Sequence, residues 1–134
     1  LIIYIDTSAA LKLVIDEPES AALADHLSAA TAEHTLVASM LLHADMHCAA
    51  RRQRNIPAEL INTVLNSINL VDVARSDLMY AAAMPHQLRS ADAIHLATAI
   101  RVQAQSVLAY DHELMAAATD AGLSVVSPGF PTKQ

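Results

Sequence analysis

Apolar positions fall along this chain in short blocks separated by polar, cap-forming residues. Residues 2–5 are continuously apolar and rich in Ile. That pattern predicts a strand covered on both faces, as in a parallel sheet. Thr7 or Ser8 can then cap a helix running to about Ile15. Glu17-Pro18-Glu19 opens another, with Pro near its first turn and Ala21, Leu23, Ala24 and Leu27 as its apolar stripe. His34 to Ala38 reads as a short strand, and Ser39 caps a helix over about 40–54. Asn55-Ile56-Pro57 breaks that helix, and Ala58 to about Asn66 forms the next. Leu70 to Val73 is a brief strand, and Ser76 or Asp77 starts a helix that stops near Met84-Pro85. Ser90 caps a strongly apolar helix from Ala91 to about Val102. Ser106 to Ala109 is a strand, Asp111 starts a helix that Gly122 closes, and Leu123 to Val126 is the last strand. Strands alternate with helices, which predicts an α/β fold with a parallel sheet flanked by helices.

The 134 residues have the length of one domain, with no linker-like stretch to suggest a second, so a single domain over 1–134 is expected. More than half are apolar, mostly Ala, Leu, Ile and Val. With no Trp and one Phe, base stacking cannot be the main mode of any nucleic-acid contact. Cys48 is the only cysteine, so no internal disulfide forms, and a reducing cytoplasm fits best. No basic segment with a small-residue cleavage site marks the start, and no apolar run approaches the roughly 20 residues needed to cross a bilayer. Neither a secretory leader nor a membrane association is expected.

The net charge is −6 with His neutral, which by itself argues against a polyanionic partner. The placement of the acids changes that picture. In an open parallel sheet, ligands bind beyond the C-terminal strand ends. Asp6 follows the first strand and Asp111 lies just past the fourth, so both project to one edge. Asp92 falls in the first turn of its helix, where a dipole-stabilising acid is the plainer reading. Asp45 lies inside the 40–54 helix, with Leu41 and Leu42 before it and Cys48 and Ala49 after it on the same stripe. A half-buried carboxylate there needs compensation, either a cation or an arginine from elsewhere. Lys12 and Lys133 are the only lysines, too few to neutralise four such acids. Hard divalent cations such as Mg²⁺ or Mn²⁺ take oxygen ligands and would do so. Held in this way, they activate water and stabilise the oxygens of an in-line phosphoryl displacement.

Four stretches together resemble the PIN-domain ribonucleases, and within them the VapC toxins of toxin–antitoxin pairs. They are Ile5-Asp6-Thr7-Ser8-Ala9, Ser39-Met40-Leu41-Leu42-His43-Ala44-Asp45, Leu88 to Ala99 and Asp111 to Gly129. They cover nearly the whole chain in family order, and the 88–99 segment is the most specific. The resemblance implies a three-layer α/β/α sandwich, Mg²⁺- or Mn²⁺-dependent cleavage of RNA, a homodimer, and inhibition by a cognate antitoxin. Asp6, Asp45, Asp92 and Asp111 match the family's four metal-site acids. Two departures stand out. The family usually has Glu where this chain has Asp45, and one methylene less draws the carboxylate back by roughly 1 Å. It often carries Thr or Ser where Ala109 stands, so a hydroxyl is missing. These departures leave open an alternative, a PIN-fold domain that binds RNA or protein with weak or lost nuclease activity.

Arg51, Arg52 and Arg54 could contact RNA phosphates near the site, or simply end their helix. Lys12, about a turn and a half from Asp6, is a further candidate substrate contact. Other chemistries fit less well. His43 and His47 have the i, i+4 spacing of a zinc pair but lack an evident third ligand. His95, in its apolar helix, reads as a satisfied core histidine. A phosphatase built on Asp6 would want an acid where Ser8 stands, and a phosphate-accepting signalling domain would want a late lysine. Two glycines rule out a phosphate-cradling loop.

Overall fold

β1 (Ile2–Ile5) is the middle strand of a five-stranded sheet ordered β3-β2-β1-β4-β5, and every pairing is parallel. Its central place follows from its residues, since Ile3, Tyr4 and Ile5 are all buried. The computed structural model describes residues 1–30, 33–53 and 55–130. The other strands are β2 (Thr35–Ser39), β3 (Asn69–Val71), β4 (Ser106–Leu108) and β5 (Ser124–Val126). Among the described residues seven helices connect them. They are α1 (Thr7–Leu11), α2 (Ser20–Ala30), α3 (Leu41–Gln53), α4 (Ala58–Asn66), α5 (Arg75–Ala83), α6 (Ser90–Arg101) and α7 (His112–Asp120). α1, α3 and α4 pack in succession, as do α5, α6 and α7. Strands are added first to one side of β1 and then to the other, so right-handed crossovers lay these two helix groups on opposite faces. The result is the expected three-layer α/β/α sandwich.

The predicted elements all appear, with shifted ends. α1 stops at Leu11 and continues to Ile15 only as turns, and its cap is Asp6 rather than Thr7 or Ser8. α2 begins at Ser20, whose Oγ accepts from Glu17 N, so Pro18 lies before the helix. β3 starts one residue early and stops two short of Val73. Ser39 closes β2 but still meets the next helix, its Oγ accepting from Leu41 N at 3.1 Å. α5 starts at Arg75, and the Asp77 carboxylate accepts from Ala74 N at 3.0 Å. Gly122 ends α7 at φ 88°, the left-handed turn that a Cβ would oppose.

The core is aliphatic. Ile5, Leu23, Leu42, Met46, Ile61, Leu108 and Leu114 are the largest fully buried aliphatic side chains among the described residues. Among the described residues no helix is long and apolar enough to cross a membrane. One buried ion pair fastens α5 to α6. The Arg101 guanidinium donates from Nε to Asp77 Oδ1 at 2.8 Å and from an Nη to Oδ2 at 3.0 Å. Thr98 adds a hydroxyl to the same carboxylate.

Candidate functional site

The C-terminal ends of β1 and β4 open into a pocket of about 290 Å³. Asp6, Asp45, Asp92 and Asp111 all line it, though they come from four different elements or their caps. Each is held differently. Asp6 is 1% exposed. Its Oδ2 accepts from Ser8 N at 3.2 Å and Ser8 Oγ at 2.8 Å. The Ser8 hydroxyl in turn accepts from Tyr110 N at 3.0 Å, which ties the start of α1 to the end of β4. Asp6 Oδ1 is buried and has no hydrogen-bond partner among the described residues. A buried carboxylate oxygen left unpaired is costly, and an ordered water or an ion is what ordinarily satisfies such an atom.

Asp111 caps α7, its Oδ1 accepting from Glu113 N and Leu114 N, each at 3.0 Å. Asp92 sits in the first turn of α6. Burial, and then the charges of Asp6 and Asp111, push its carboxyl up to about 6, with Arg89 acting the other way. The helix dipole expected to favour its anion is outweighed by crowding. Asp45 goes in the opposite direction. Burial raises it, but hydrogen bonds from His95 and Thr7, together with the charge of Arg52, hold it below the usual carboxylate range. Its Oδ2 lies 2.8 Å from Thr7 Oγ1 and 3.0 Å from His95 Nε2. The compensation that sequence reasoning sought for Asp45 thus comes from a histidine and a threonine.

The acids share a pocket without converging on one point. Among the described residues, no three His, Cys, Asp or Glu side chains gather closely enough to hold an ion as they stand. Arg89 reaches over the acids from the N-cap of α6. Its guanidinium is 3.9 Å from both Asp92 Oδ2 and Asp111 Oδ2, and its side chain is 86% exposed. Arg52 and Cys48 also line the pocket, while Arg51 is exposed and donates to Cys48 Sγ. Arg54 lies outside the described residues. Lys12 is not brought to the pocket. It is buried, its Nζ is 3.0 Å from Glu19 and 3.5 Å from Glu17, and it sits 4.7 Å from the Tyr110 ring centroid.

Three pocket partners escaped the sequence reading. Ser8 and Thr7 were noted only as caps, yet both hold site acids. Arg89 stands three residues before Asp92, a spacing at which side chains meet on a helix, and that signal was available. His95 is the satisfied core histidine that the pattern suggested, and its partners are Tyr4 on one nitrogen and Asp45 with Thr7 on the other.

Comparison with known proteins agrees with this architecture. The PIN-domain family model matches residues 3–120. Ribonuclease VapC46 of Mycobacterium tuberculosis is 35% identical over 129 residues, covering 94% of this chain and 97% of that protein. VapBC2 of Rickettsia felis, solved bound to a promoter DNA fragment, superposes with a TM-score of 0.74 at 12% identity over 96% of this chain and 99% of that one. VapC20 of Mycobacterium tuberculosis, a sarcin-ricin loop cleaving toxin, superposes at 0.72 with 16% identity over 94% and 99%.

Proposed function

Since the chain belongs to the PIN-domain family, in its VapC type, we propose that it is a metal-dependent endoribonuclease, the toxin of a toxin–antitoxin pair, acting in the cytoplasm as a single PIN domain over residues 1–134. The observation that carries this reading is Asp6 Oδ1, a buried carboxylate oxygen without a partner in a pocket lined by three further aspartates. Relatives named as ribonucleases support the reaction class.

The donor set fits a hard cation. All four acids offer oxygen only, the chemistry of Mg²⁺ or Mn²⁺. Asp6, Asp92 and Asp111 would hold it, with Asp45 completing the site. When bound, such an ion makes water a better nucleophile and stabilises charge on phosphate oxygens. The protein's own contributions are positional. Ser8 fixes one oxygen of Asp6, two backbone N–H groups fix one of Asp111, and Thr7 with His95 fix one of Asp45. Arg89 and Arg52 at the rim supply the positive charge that a phosphodiester backbone needs next to an acidic floor. Among the described residues the lining has no aromatic ring, so it offers no platform for stacking bases.

The test is cleavage of structured RNA with Mn²⁺ or Mg²⁺, with EDTA and Asp6→Asn as controls. Asp6→Asn should lower cleavage by at least the ~10–100-fold that loss of a metal-site partner costs. Loss of RNA that persists in both controls would point to a contaminating nuclease and remove the support. A second reading, a PIN-fold binding domain with weak or lost activity, draws on Asp45, on Ala109, and on the absence among the described residues of a tight three-ligand group. Calorimetry with Mn²⁺ separates the two, since no binding at millimolar metal selects the second.

The pocket also suits an antitoxin. A guanidinium already approaches two of its acids from within the chain, and an inserted Arg or Lys of a partner would do the same. Analytical ultracentrifugation of the co-expressed pair should show co-migration, and of the isolated chain a homodimer.

A further inference from the structure

Behind Asp45 and its partner His95, a buried polar chain runs back to the end of β2. Ser39 N–H donates to the Tyr4 hydroxyl at 2.9 Å, and that hydroxyl lies 2.6 Å from His95 Nδ1. On its other side, His95 Nε2 is 3.0 Å from Asp45 Oδ2 and 3.0 Å from Thr7 Oγ1. Tyr4, Ser39 and His95 are essentially inaccessible to water. For a neutral imidazole the donor inventory leaves one consistent direction for the protons. The Tyr4 oxygen accepts from the backbone, so its own proton goes to His95 Nδ1. Burial keeps that phenol protonated by pushing it far above its ordinary range, with nearby acids adding to the effect. The imidazole therefore carries its proton on Nε2, which faces two acceptors. The Thr7 hydroxyl, accepting there, donates onward to Asp45. All the protons point one way, from the backbone at the end of β2 to a single carboxylate oxygen.

We propose that His95 is a positioning residue: its imidazole, fixed in one tautomer by Tyr4, joins Thr7 in holding Asp45 as an oriented anion at the pocket wall. The chain explains how an aspartate serves on the wall of this pocket, since the grip comes from behind and sets where its short side chain stops. The role of that anion in ion binding rests on the nuclease reading, whereas the proton order and the grip on Asp45 do not.

Two measurements test it on the full-length protein. Long-range ¹H–¹⁵N spectra of the metal-free chain should place the His95 proton on Nε2 and none on Nδ1. Asp45→Asn should shift the Nε2–H resonance upfield, because a neutral acceptor replaces a charged one, and Tyr4→Phe should move Nδ1 towards an unbonded imine nitrogen. A proton found on Nδ1, or an Nε2–H signal indifferent to Asp45→Asn, overturns the proposal. The second measurement is Mn²⁺ affinity by calorimetry. His95→Ala should weaken it about 10–100-fold, and His95→Gln, which keeps an N–H near the same place, should restore most of the loss. Unchanged affinity in a His95→Ala protein whose circular dichroism shows it folded overturns the proposal. If the wild type binds no Mn²⁺, the nuclease reading fails, and the resonance shifts alone decide whether His95 holds Asp45.

Discussion

Asp92 and Asp45 face the same pocket with opposite electrostatics. Burial and two neighbouring carboxylates raise Asp92 to about 6, whereas hydrogen bonds overcome burial to keep Asp45 low. A carboxyl whose folded pKa exceeds its unfolded value favours folding only while protonated. Its contribution is complete below about 4 and is lost as pH rises through about 6. Asp92→Asn should therefore stabilise the metal-free protein at about pH 7.5, by up to about 3 kcal/mol, and leave it unchanged near pH 4. Urea denaturation in EDTA at the two pH values checks this. The same titration governs ions, so Mn²⁺ affinity should fall as pH drops through about 6, because protons then compete for Asp92. That the four aspartates share a pocket was legible because Asp6, Asp92 and Asp111 sit at strand ends or helix starts, and Asp45 interrupts the apolar stripe of a helix. Lys12 and His95 could not be placed that way. What decides them is which acid lies opposite in space, Glu19 for one and Asp45 for the other, and no spacing along the chain encodes that.

At the scale of elements, the pairing of α5 with α6 depends on one charge pair. Asp77 is buried beneath the Arg101 fork and also binds Thr98 and the backbone at Ala74. Arg101→Met leaves that carboxylate buried without its counterion. The expected loss is about 2–4 kcal/mol, reduced from the fully buried case because the guanidinium is partly exposed. Denaturant midpoints should show it, and Asp77→Asn combined with Arg101→Met should lose less than the sum of the two single changes. Sequence reading took Asp77 only as a helix start, which it also is. Helix and strand identities were readable from apolar periodicity. Their ends were less so, because caps are chosen by whichever side chain reaches the free N–H. Asp6 does this for α1 where Thr7 or Ser8 was expected, and so one residue serves both as cap and as site acid.

For the whole molecule, the charge of −6 and the strand order act together. An acidic protein repels a polyanion unless its acids are gathered and neutralised. Here four of them are gathered where the strand order reverses direction beside β1, the usual binding edge of an open parallel sheet. Labelled, uncleavable RNA should therefore bind poorly in EDTA and gain affinity with Mg²⁺. Fluorescence anisotropy would show this, and binding indifferent to the ion would contradict it. The strand alternation foretold this sheet edge, but the three-dimensional route of Arg89 over the acids could be seen only in the fold.

The sheet order also has a bearing on synthesis. β4 lies directly against β1, and Ser8 is tied to Tyr110 across 102 residues. Asp6 is thus synthesised well before the strand that walls its pocket. The pocket shared by the four aspartates therefore closes only once Asp111 has been made, as a late step rather than one that builds up with length.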